Sequence, residues 1–350
     1  MSGAKKVLFV GPCKWLFRSF MQWDLDLLKE EFDVRLATVC FDWHDIGGTL
    51  KTTQSLIAGV AWADVIFCWF ASREAFWAIA LSQIFKRKAV VAVGGADVTA
   101  LPELGYGAEQ RKTKRYYSTF VLNRAEKVLP ISKDAEKGAL KIVNDSAKVT
   151  VIYLGIDVER FHPRGWKQDK AITVGTISYS NLKRKGLETF VKSAAYLPEV
   201  EFILIGKWFD KSIDYLRSIA SKNVRFTGLL PENELIRCYQ EAKVYAQVSA
   251  HEAFGVSLAE AMACECVPVV TDKGAIPEVV GDTGFYVPYE DPRATAQGIA
   301  RALRSNRGGL ARQRIEKMFT TDRRRETLLK VMNGLFAESG RSHLIDERQS

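Results

Sequence analysis

The sequence predicts an α/β protein built from two doubly wound domains, each a parallel sheet covered by helices. Three observations support this prediction. The chain has 350 residues, which is enough for two domains with separate cores. Short apolar runs rich in Val and Ile alternate with stretches of helical period throughout. That alternation stops once, at a segment containing Gly and Pro, and then starts again.

Each half of the chain supplies six short apolar runs, as expected for buried parallel strands. In the first half they are Val7–Val10, Val34–Val39, Asp64–Cys68, Ala89–Val93, Lys127–Ile131 and Val149–Tyr153. In the second half they are Ala171–Val174, Glu201–Ile205, Val224–Phe226, Val244–Gln247, Val267–Val270 and Phe285–Val287.

The segment Gly155–Gly165 lies between the two sets and lacks any hydrophobic period. We expect it to be an inter-domain linker and a hinge. The domain boundaries follow: residues 1–157 form the first domain, 158–320 the second, and 321–350 a C-terminal helix, packing back on the first domain, with a polar tail. Such domains should face each other across a cleft, with ligands at the carboxyl ends of the strands.

The composition limits the classes of protein and the kinds of partner that are compatible with the sequence. The net charge is +9 with a pI near 9.1, which favours phosphate-bearing substrates, an anionic membrane surface or nucleic acid. Six cysteines without a CxxC pair indicate reduced thiols in a cytoplasmic protein. No apolar run reaches the roughly 18–20 residues of a membrane span, and the N-terminus does not resemble a signal peptide. We therefore expect a cytoplasmic location, including the inner face of the membrane.

The segment His251–Ala263 follows a predicted strand and leads into a helix that begins near Gly255. Exposed backbone N–H groups and the positive end of the helix dipole make such a junction an anion site. Glu260 lies on an otherwise apolar helix and needs a partner, because an unpaired buried acid is costly. Glu252 can reach the same cleft. Alternatively, Glu252 only neutralises the dipole and Glu260 pairs with a nearby Lys.

A second candidate is the basic run Lys183–Lys185, after the predicted strand that ends at Val174. We expect these cations at the head of a helix, where they are unfavourable unless an anion binds there. The alternative is a solvated basic turn.

The segment Glu252–Ala263, Glu-x-Phe-Gly-x-x-x-x-Glu-Ala-Met-Ala, resembles the signature of the retaining family-4 glycosyltransferases of GT-B architecture, a fold of two Rossmann-like domains. Further matches in the expected order run from about residue 150 to residue 305. They are the linker around Gly155, Lys185-Gly186, Phe202–Gly206, Asn223–Gly228 and Gly274–Val280. The first domain matches more weakly, chiefly through Gly94–Asp97.

The resemblance implies a hexosyl transfer from a nucleotide-diphosphate sugar to a glycan, lipid-linked or small-molecule acceptor, with no metal or other cofactor. Glu252 and Lys185 would be the catalytic pair, holding the donor sugar and neutralising the diphosphate respectively. Glu260 would bind the ribose hydroxyls. The remaining donor-binding positions would be Phe254, Gly255, Val256, Ser257, Arg184, Thr176, Gly175 and Leu229, the last beside the base. On the acceptor side would be Gly11, Gly95 and Asp97.

Two positions depart from the family pattern. The family usually carries Arg soon after the Gly of the first strand of the second domain, where this chain has Thr176. Lys183 or Arg184 could replace that cation. Many members also have His where this chain has Gly94, which shifts acceptor-side chemistry to Asp97, to backbone or to the substrate.

The pair Asp24 and Asp26 falls inside a helical stretch, so we assign it to a solvent-facing surface and not to a metal-binding Asp-x-Asp motif. Competing enzyme classes are a nucleotide-sugar epimerase and a glycogen-type synthase. A nucleic-acid-binding protein is disfavoured because the aromatics are not interleaved with the basic runs. The basic, aromatic segment Lys14–Trp23 is either a core-packed first helix or a helix lying on a membrane.

Overall fold

A computed structural model describes residues 4–12, 19–38, 46–108 and 111–346, without side-chain detail for 46–47 and 338–346. The chain divides into two compact units. The first contains Met1–Tyr153 together with Arg324–Ser350, and the second is Leu154–Arg323. Each unit is a parallel sheet with helices connecting its strands, so the predicted fold class is confirmed.

The first unit has a five-stranded sheet in the order β2-β1-β3-β4-β5. Its elements are β1 (Lys6–Gly11), α1 (Ser19–Glu31), β2 (Asp33–Thr38), α2 (Ile46–Trp62), β3 (Val65–Trp69), α3 (Arg73–Ile84), β4 (Lys88–Val93), α4 (Lys112–Arg124), β5 (Lys127–Pro130) and α5 (Lys133–Leu140). The last helix of the chain, α14 (Thr321–Asp346), contributes its residues from Arg324 onward to this unit. Strands β3 and β4 are buried almost throughout, as their Val, Ile and Ala content predicts.

The second unit has a six-stranded sheet in the order β11-β10-β9-β6-β7-β8. Its strands are β6 (Gln168–Val174), β7 (Glu201–Ile205), β8 (Val224–Gly228), β9 (Ala242–Gln247), β10 (Val267–Val270) and β11 (Phe285–Tyr286). Its helices are α6 (Tyr179–Arg184), α7 (Leu187–Ser193), α8 (Ser212–Ile219), α9 (Glu232–Glu241), α10 (Val256–Ala263), α11 (Ile276–Val280), α12 (Pro292–Leu303) and α13 (Gly308–Met318). The strand order reverses between β6 and β9, and ligands of such sheets bind beyond the carboxyl ends of strands at this point.

Two expectations about local structure differ from the structure. The run Val149–Tyr153 is not a ladder strand but makes one isolated bridge, Val128 to Val149. The predicted linker is packed within the second unit: the N–H of Ile156 donates to the carbonyl of Phe319 at 2.7 Å. Phe161 is buried and its carbonyl accepts from Arg312 at 3.1 Å, so Gly155–Gly165 packs on the second unit, and its role as a hinge stays a prediction.

The assignment of Asp24 to a solvent-facing surface is wrong. Asp24 is fully buried and forms a two-pronged ion pair with Arg324 at 2.7 and 2.6 Å. The indole N–H of Trp69 donates to the same carboxylate at 2.9 Å. Because Arg324 is 300 residues away in sequence, helical periodicity around Asp24 could not reveal this partner. The ion pair attaches α14 to the first unit.

Candidate active site

The site lies in the second unit, beyond the carboxyl ends of β6 and β9. Two loops meet there, one leading from β6 to α7 and one leading from β9 to α10. The N–H of Ala250 donates to the carbonyl of Arg184 at 2.8 Å. Gly186 has φ +65°, and a Cβ at this position would lie 2.0 Å from the carbonyl oxygen of Val248. Only glycine permits this approach, which brings the preceding residue, Lys185, beside the second loop.

Glu252 receives hydrogen bonds from three side chains on one carboxylate oxygen. Its Oε1 accepts from Lys185 Nζ at 2.7 Å, from Gln247 Nε2 at 3.0 Å and from Ser249 Oγ at 3.1 Å. No hydrogen bond to its Oε2 is found among the residues that the structure describes. Since Glu252 is 8% exposed, this oxygen is the carboxylate's remaining acceptor for a ligand.

The charge state of Glu252 follows from opposing effects. Burial alone would raise the pKa of its carboxyl, but the positive charges of Lys185 and Arg184 and the hydrogen bonds to Lys185 and Ser249 outweigh it. The net pKa is below the usual value for Glu. Glu252 is therefore an ionised, nearly buried carboxylate at neutral pH.

The backbone of Glu252 is held by the turn before α11. Its carbonyl accepts from the N–H of Ala275 at 2.8 Å. A Cβ on Gly274, which has φ +59°, would lie 2.4 Å from that carbonyl oxygen. This explains the glycine in the motif Gly274–Val280: it allows a tight turn to pass directly against Glu252.

The basic run lies directly before a helix, as expected, since Gly186 is the N-cap of α7, but it also ends a short helix that was not predicted. Lys183 and Arg184 lie in the last turn of α6 and Lys185 is its C-cap, a position where cations are favourable. The three residues then diverge. Lys183 is exposed, with Glu290 3.9 Å away, whereas Arg184 Nη2 donates to Asn181 Oδ1 at 2.6 Å. Lys185 alone forms the ion pair with Glu252.

The first turn of α10 offers backbone N–H groups without a capping side chain. The N-cap residue is Gly255, with φ +89°, and it is followed by Val256 and Ser257. Phe254 is buried and packs edge-on against Phe319, with ring centroids 5.5 Å apart. The phenyl ring thus anchors the loop, while the N–H groups at the helix start stay available to an anion.

Glu260, one turn further along α10, is held differently from Glu252. Its Oε2 accepts from the hydroxyl of Tyr239 at 3.1 Å. Its hydrogen-bond partner is therefore a phenol, and not a nearby lysine as the alternative hypothesis predicted. Burial raises the pKa of Glu260 to about 7. Unlike Glu252, this carboxyl takes up a proton close to neutral pH.

The other positions implied on the donor side lie at neighbouring strand ends. Gly175 follows β6, and a Cβ on Gly206, after β7, would lie 2.0 Å from the carbonyl oxygen of Gly175. Thr176 is exposed and its carbonyl accepts from Asn181 at 2.9 Å. Leu229, just after β8, is 74% exposed.

The acceptor-side positions lie in the first unit, at the carboxyl edge of its own sheet. Gly11 ends β1, while Gly95 and Asp97 follow β4. Asp97 Oδ2 accepts from the N–H of Ala71 at 2.9 Å and from that of Gly94 at 3.4 Å. A Cβ on Gly94 would lie 2.2 Å from the ring of Phe70, so the phenyl ring occupies the space that a larger residue would need.

Sequence reasoning missed the residues that orient the two glutamates. Gln247 and Ser249 position Glu252, and Tyr239 holds Glu260. One signal was present: Gln247 is a polar residue at the end of an almost fully buried strand, next to the segment that carries Glu252. Tyr239 lies on α9, and nothing local connects it with Glu260.

The described part of the chain has neither a metal-binding cluster nor a membrane-spanning helix. No three His, Cys, Asp or Glu side chains cluster there in an arrangement that could hold a metal ion. Likewise, none of the described helices is both long and apolar enough to cross a bilayer. Of the segment Lys14–Trp23, residues 14–18 lie outside the described residues, and Met21 in α1 is buried.

Comparison with solved structures identifies the class of fold. The chain is similar to sucrose-phosphate synthase from Thermosynechococcus elongatus, with a TM-score of 0.76 and 16% identity over 95% of this chain and 100% of that one. It is also similar to Anabaena HepE in complex with UDP and glucose, with a TM-score of 0.74, 17% identity and coverage of 94% and 99%. The fold is GT-B, the two-domain architecture of many glycosyltransferases.

Sequence comparison then gives the family. Residues 168–305 match the sequence model of glycosyl transferases group 1. This segment, which carries Lys185, Glu252 and Glu260, is therefore similar to the group 1 glycosyltransferases. The prediction of a glycosyltransferase is confirmed at this level, and the finer family-4 assignment stays a prediction.

Curated relatives agree with that family. A D-inositol 3-phosphate glycosyltransferase of Corynebacterium urealyticum is 28% identical over 55% of this chain and 52% of its own length. A lipopolysaccharide core biosynthesis mannosyltransferase of Rhizobium leguminosarum bv. viciae is 25% identical over 66% of this chain and 70% of its own. The chain thus spans about half the length of the first of these relatives.

Proposed function

We propose that the protein is a retaining, metal-independent hexosyltransferase that uses a nucleotide-diphosphate sugar as donor. The observation that carries this proposal is the ion pair of Lys185 and Glu252 beside the uncapped start of α10. It places a cation, free N–H groups and an ionised carboxylate at the point where the strand order reverses. A sugar diphosphate requires these groups together: positive charge for the phosphates and an acceptor for the sugar hydroxyls.

The charges at the site suit the breaking of the bond between sugar and diphosphate. Negative charge develops on the leaving phosphate oxygen while the sugar ring becomes cationic. Lys185 and the N–H groups of Gly255–Ser257 stabilise the first change. Glu252, kept ionised, stabilises the second through its Oε2, and such preorganised groups each contribute about 10²–10³ in rate.

In this proposal Arg184, and not Lys183, is the second cation of the donor site. Arg184 is half-buried and reaches Asn181, whose side chain in turn donates to the carbonyl of Thr176. Arg184 therefore lies on the side of the loop where Thr176 stands in place of the usual Arg. Lys183 is exposed and faces Glu290.

Nucleotide recognition in this proposal uses Glu260 for the ribose hydroxyls and the backbone near Leu229 for the base. The exposed apolar side chain of Leu229 supports a flat, apolar ligand at that strand end. The acceptor is a glycan, a lipid-linked saccharide or a small molecule. The protein works in the cytoplasm, including the inner face of the membrane, and the net charge of +9 supports contact with anionic lipid.

A thermal-shift screen against UDP, GDP, ADP and their sugars tests the donor assignment. A ligand at about 100 times its dissociation constant stabilises the folded state by about 2.7 kcal/mol. We expect one nucleotide to raise the melting temperature of the wild type and to have a much smaller effect on Lys185→Ala. Lack of a shift with every nucleotide would overturn the proposal.

Product analysis separates the proposal from its enzymatic alternatives. A retaining transferase consumes the nucleotide sugar only with an acceptor present, apart from slow hydrolysis, and it conserves the anomeric configuration. An epimerase would convert the nucleotide sugar without an acceptor. A glycogen-type synthase would extend a glucan chain.

A further inference from the structure

The first unit contains a pocket of its own, with a volume of about 890 Å³. One wall is the segment Phe70–Glu74, which joins β3 to α3, and another is Asp97 after β4. The loop Gly105–Ala108 and the start of α4, with Arg111 and Lys114, complete it. All of these residues belong to the first unit, and the volume suits a ligand of a few hundred daltons.

The pocket carries an excess of positive charge. Its cations are Arg73, Arg111 and Lys114, and its acids are Glu74 and Asp97. Glu74 lies 3.6 Å from Arg73, so these two charges offset each other. Within the described ranges, neither Arg111 nor Lys114 has an acidic partner, and both are exposed. Among the described residues, no acid offsets these two cations of the pocket lining.

The two helices at the pocket begin differently. Ser72 caps α3, its side chain accepting from the N–H of Ala75, whereas the N-cap residue of α4, Arg111, makes no such bond. Cations in a first helical turn are unfavourable, because the helix dipole is positive at that end. An anion bound there would remove the conflict, since it would meet both the free N–H groups and the side-chain charges.

Two further features point to a ligand deeper in the pocket. Asp97 is 7% exposed, and its Oδ1 is buried without a hydrogen-bond partner within the described part of the chain. An unsatisfied buried oxygen is costly, and a ligand hydroxyl would satisfy it. Phe70, also on the pocket wall, has φ +68°, a strained conformation for a bulky residue of the kind that clusters at binding sites.

We propose that this pocket binds a hydroxylated ligand bearing a phosphate or carboxylate group. The anionic group lies against Arg111, Lys114 and the start of α4, and a hydroxyl lies toward Asp97. The inference rests on the proposed function in one respect only, the identification of this ligand as the acceptor. The binding itself requires no donor.

Calorimetry on the full chain tests the pocket with glucose 1-phosphate, glucose, glucuronate and inorganic phosphate as probes. Each titration is repeated with Lys185→Ala, so that anions bound at the donor site are recognised. We expect the phosphate or the carboxylate sugar to bind at least about tenfold more tightly than glucose. The double variant Arg111→Glu/Lys114→Glu should remove that advantage in both backgrounds.

Lys112→Glu is the matched control, because it reverses a charge on the same helix outside the pocket lining. It should change the affinity by no more than about twofold, as expected for a screened charge. If Lys112→Glu weakens binding as much as the double variant, the effect is one of net charge and the pocket assignment is wrong. Asp97→Asn should weaken sugar-phosphate binding while leaving inorganic phosphate unchanged.

Phosphatidylcholine vesicles with and without phosphatidylinositol distinguish the two sources of such a ligand. Binding that depends on phosphatidylinositol and on Arg111 and Lys114 indicates a lipid headgroup, and binding of soluble sugar phosphates alone indicates a free metabolite. Failure of both overturns the inference. The donor proposal is judged separately, since nucleotide binding should be unaffected by the double variant.

Discussion

The two units place an acidic side chain at the same topological position, beyond the carboxyl end of a buried parallel strand, but leave it in different charge states. Glu252 in the second unit meets a lysine, and its pKa lies below the usual value. Asp97 in the first unit meets backbone N–H groups, and burial raises its pKa to about 6. Burial is similar at both positions. The presence of a nearby cation decides whether the carboxylate stays ionised.

This difference suits two tasks. An acid that must be negative during a reaction needs a fixed counter-charge, which Lys185 supplies. An acid that contacts a neutral hydroxyl can do so with or without a proton. Changing one acid, or its partner, at a time tests this difference.

The largest effect is expected from removing the cation beside Glu252. Lys185→Ala leaves a nearly buried carboxylate without its counter-charge, which costs about 3–5 kcal/mol when a buried pair is broken. Denaturant unfolding at neutral pH measures the loss. The double variant Lys185→Met/Glu252→Gln should recover much of it, and an equally unstable double variant would contradict the ion-pair explanation.

Neutralising Glu252 while keeping its shape should affect turnover. Glu252→Gln retains a hydrogen-bonding group but loses the charge that stabilises the cationic sugar, so we expect kcat to fall by about 10²-fold or more. Nucleotide affinity should stay nearly unchanged. If the variant turns over normally and loses only about 0.3–1 kcal/mol of stability, Glu252 merely neutralises the helix dipole.

The first unit should respond to pH in the opposite direction from the second. Because the pKa of Asp97 is raised in the folded state, the folded protein binds more protons than the unfolded chain between pH 4 and 6, and stability falls as pH rises through that range. Asp97→Asn has no such titration. Its stability relative to wild type should therefore increase by about 1–3 kcal/mol between pH 4 and 7.

For Glu252 the sign is reversed, because its folded-state pKa is lowered. Its contribution to stability is present above the unfolded-state pKa and is lost as pH falls through the folded-state pKa. Comparing pH titrations of Asp97→Asn and Glu252→Gln tests this contrast. The same sign in both variants would show that the two acids have similar environments.

The smallest effect concerns Glu260. Ribose hydroxyls donate hydrogen bonds best to its ionised form, and its pKa is about 7. Nucleoside binding should therefore strengthen several-fold between about pH 6 and 8. Adenosine, uridine and guanosine avoid titration of the phosphate. Glu260→Gln should flatten the profile and raise KM more than it lowers kcat, and an unchanged profile would place the ribose elsewhere.

Local sequence determined the fold class and the segment that carries the candidate site. Strands such as Glu201–Ile205 and Val267–Val270 were predicted with their observed bounds. Both faces of such strands are buried, so their residues form a nearly continuous apolar run that is visible in the sequence. Similarly, Glu252, Gly255 and Glu260 lie within one nine-residue segment at a strand-to-helix junction. The start of the helix was predicted from Gly255, which is its N-cap.

Only the tertiary structure decided which charges meet. Lys185 and Glu252 are 67 residues apart, and Asp24 and Arg324 are 300 apart. Periodicity assigned Asp24 to solvent, which was wrong, and the prediction of a helix after the run Lys183–Lys185 did not reveal that the run also ends α6. The period of the apolar residues along a helix or strand shows which face is buried on average. This works because the hydrophobic effect is non-directional and roughly proportional to the apolar area that is buried. An ion pair depends instead on a distance of about 3 Å between two particular atoms, which only the packing of separate elements can set.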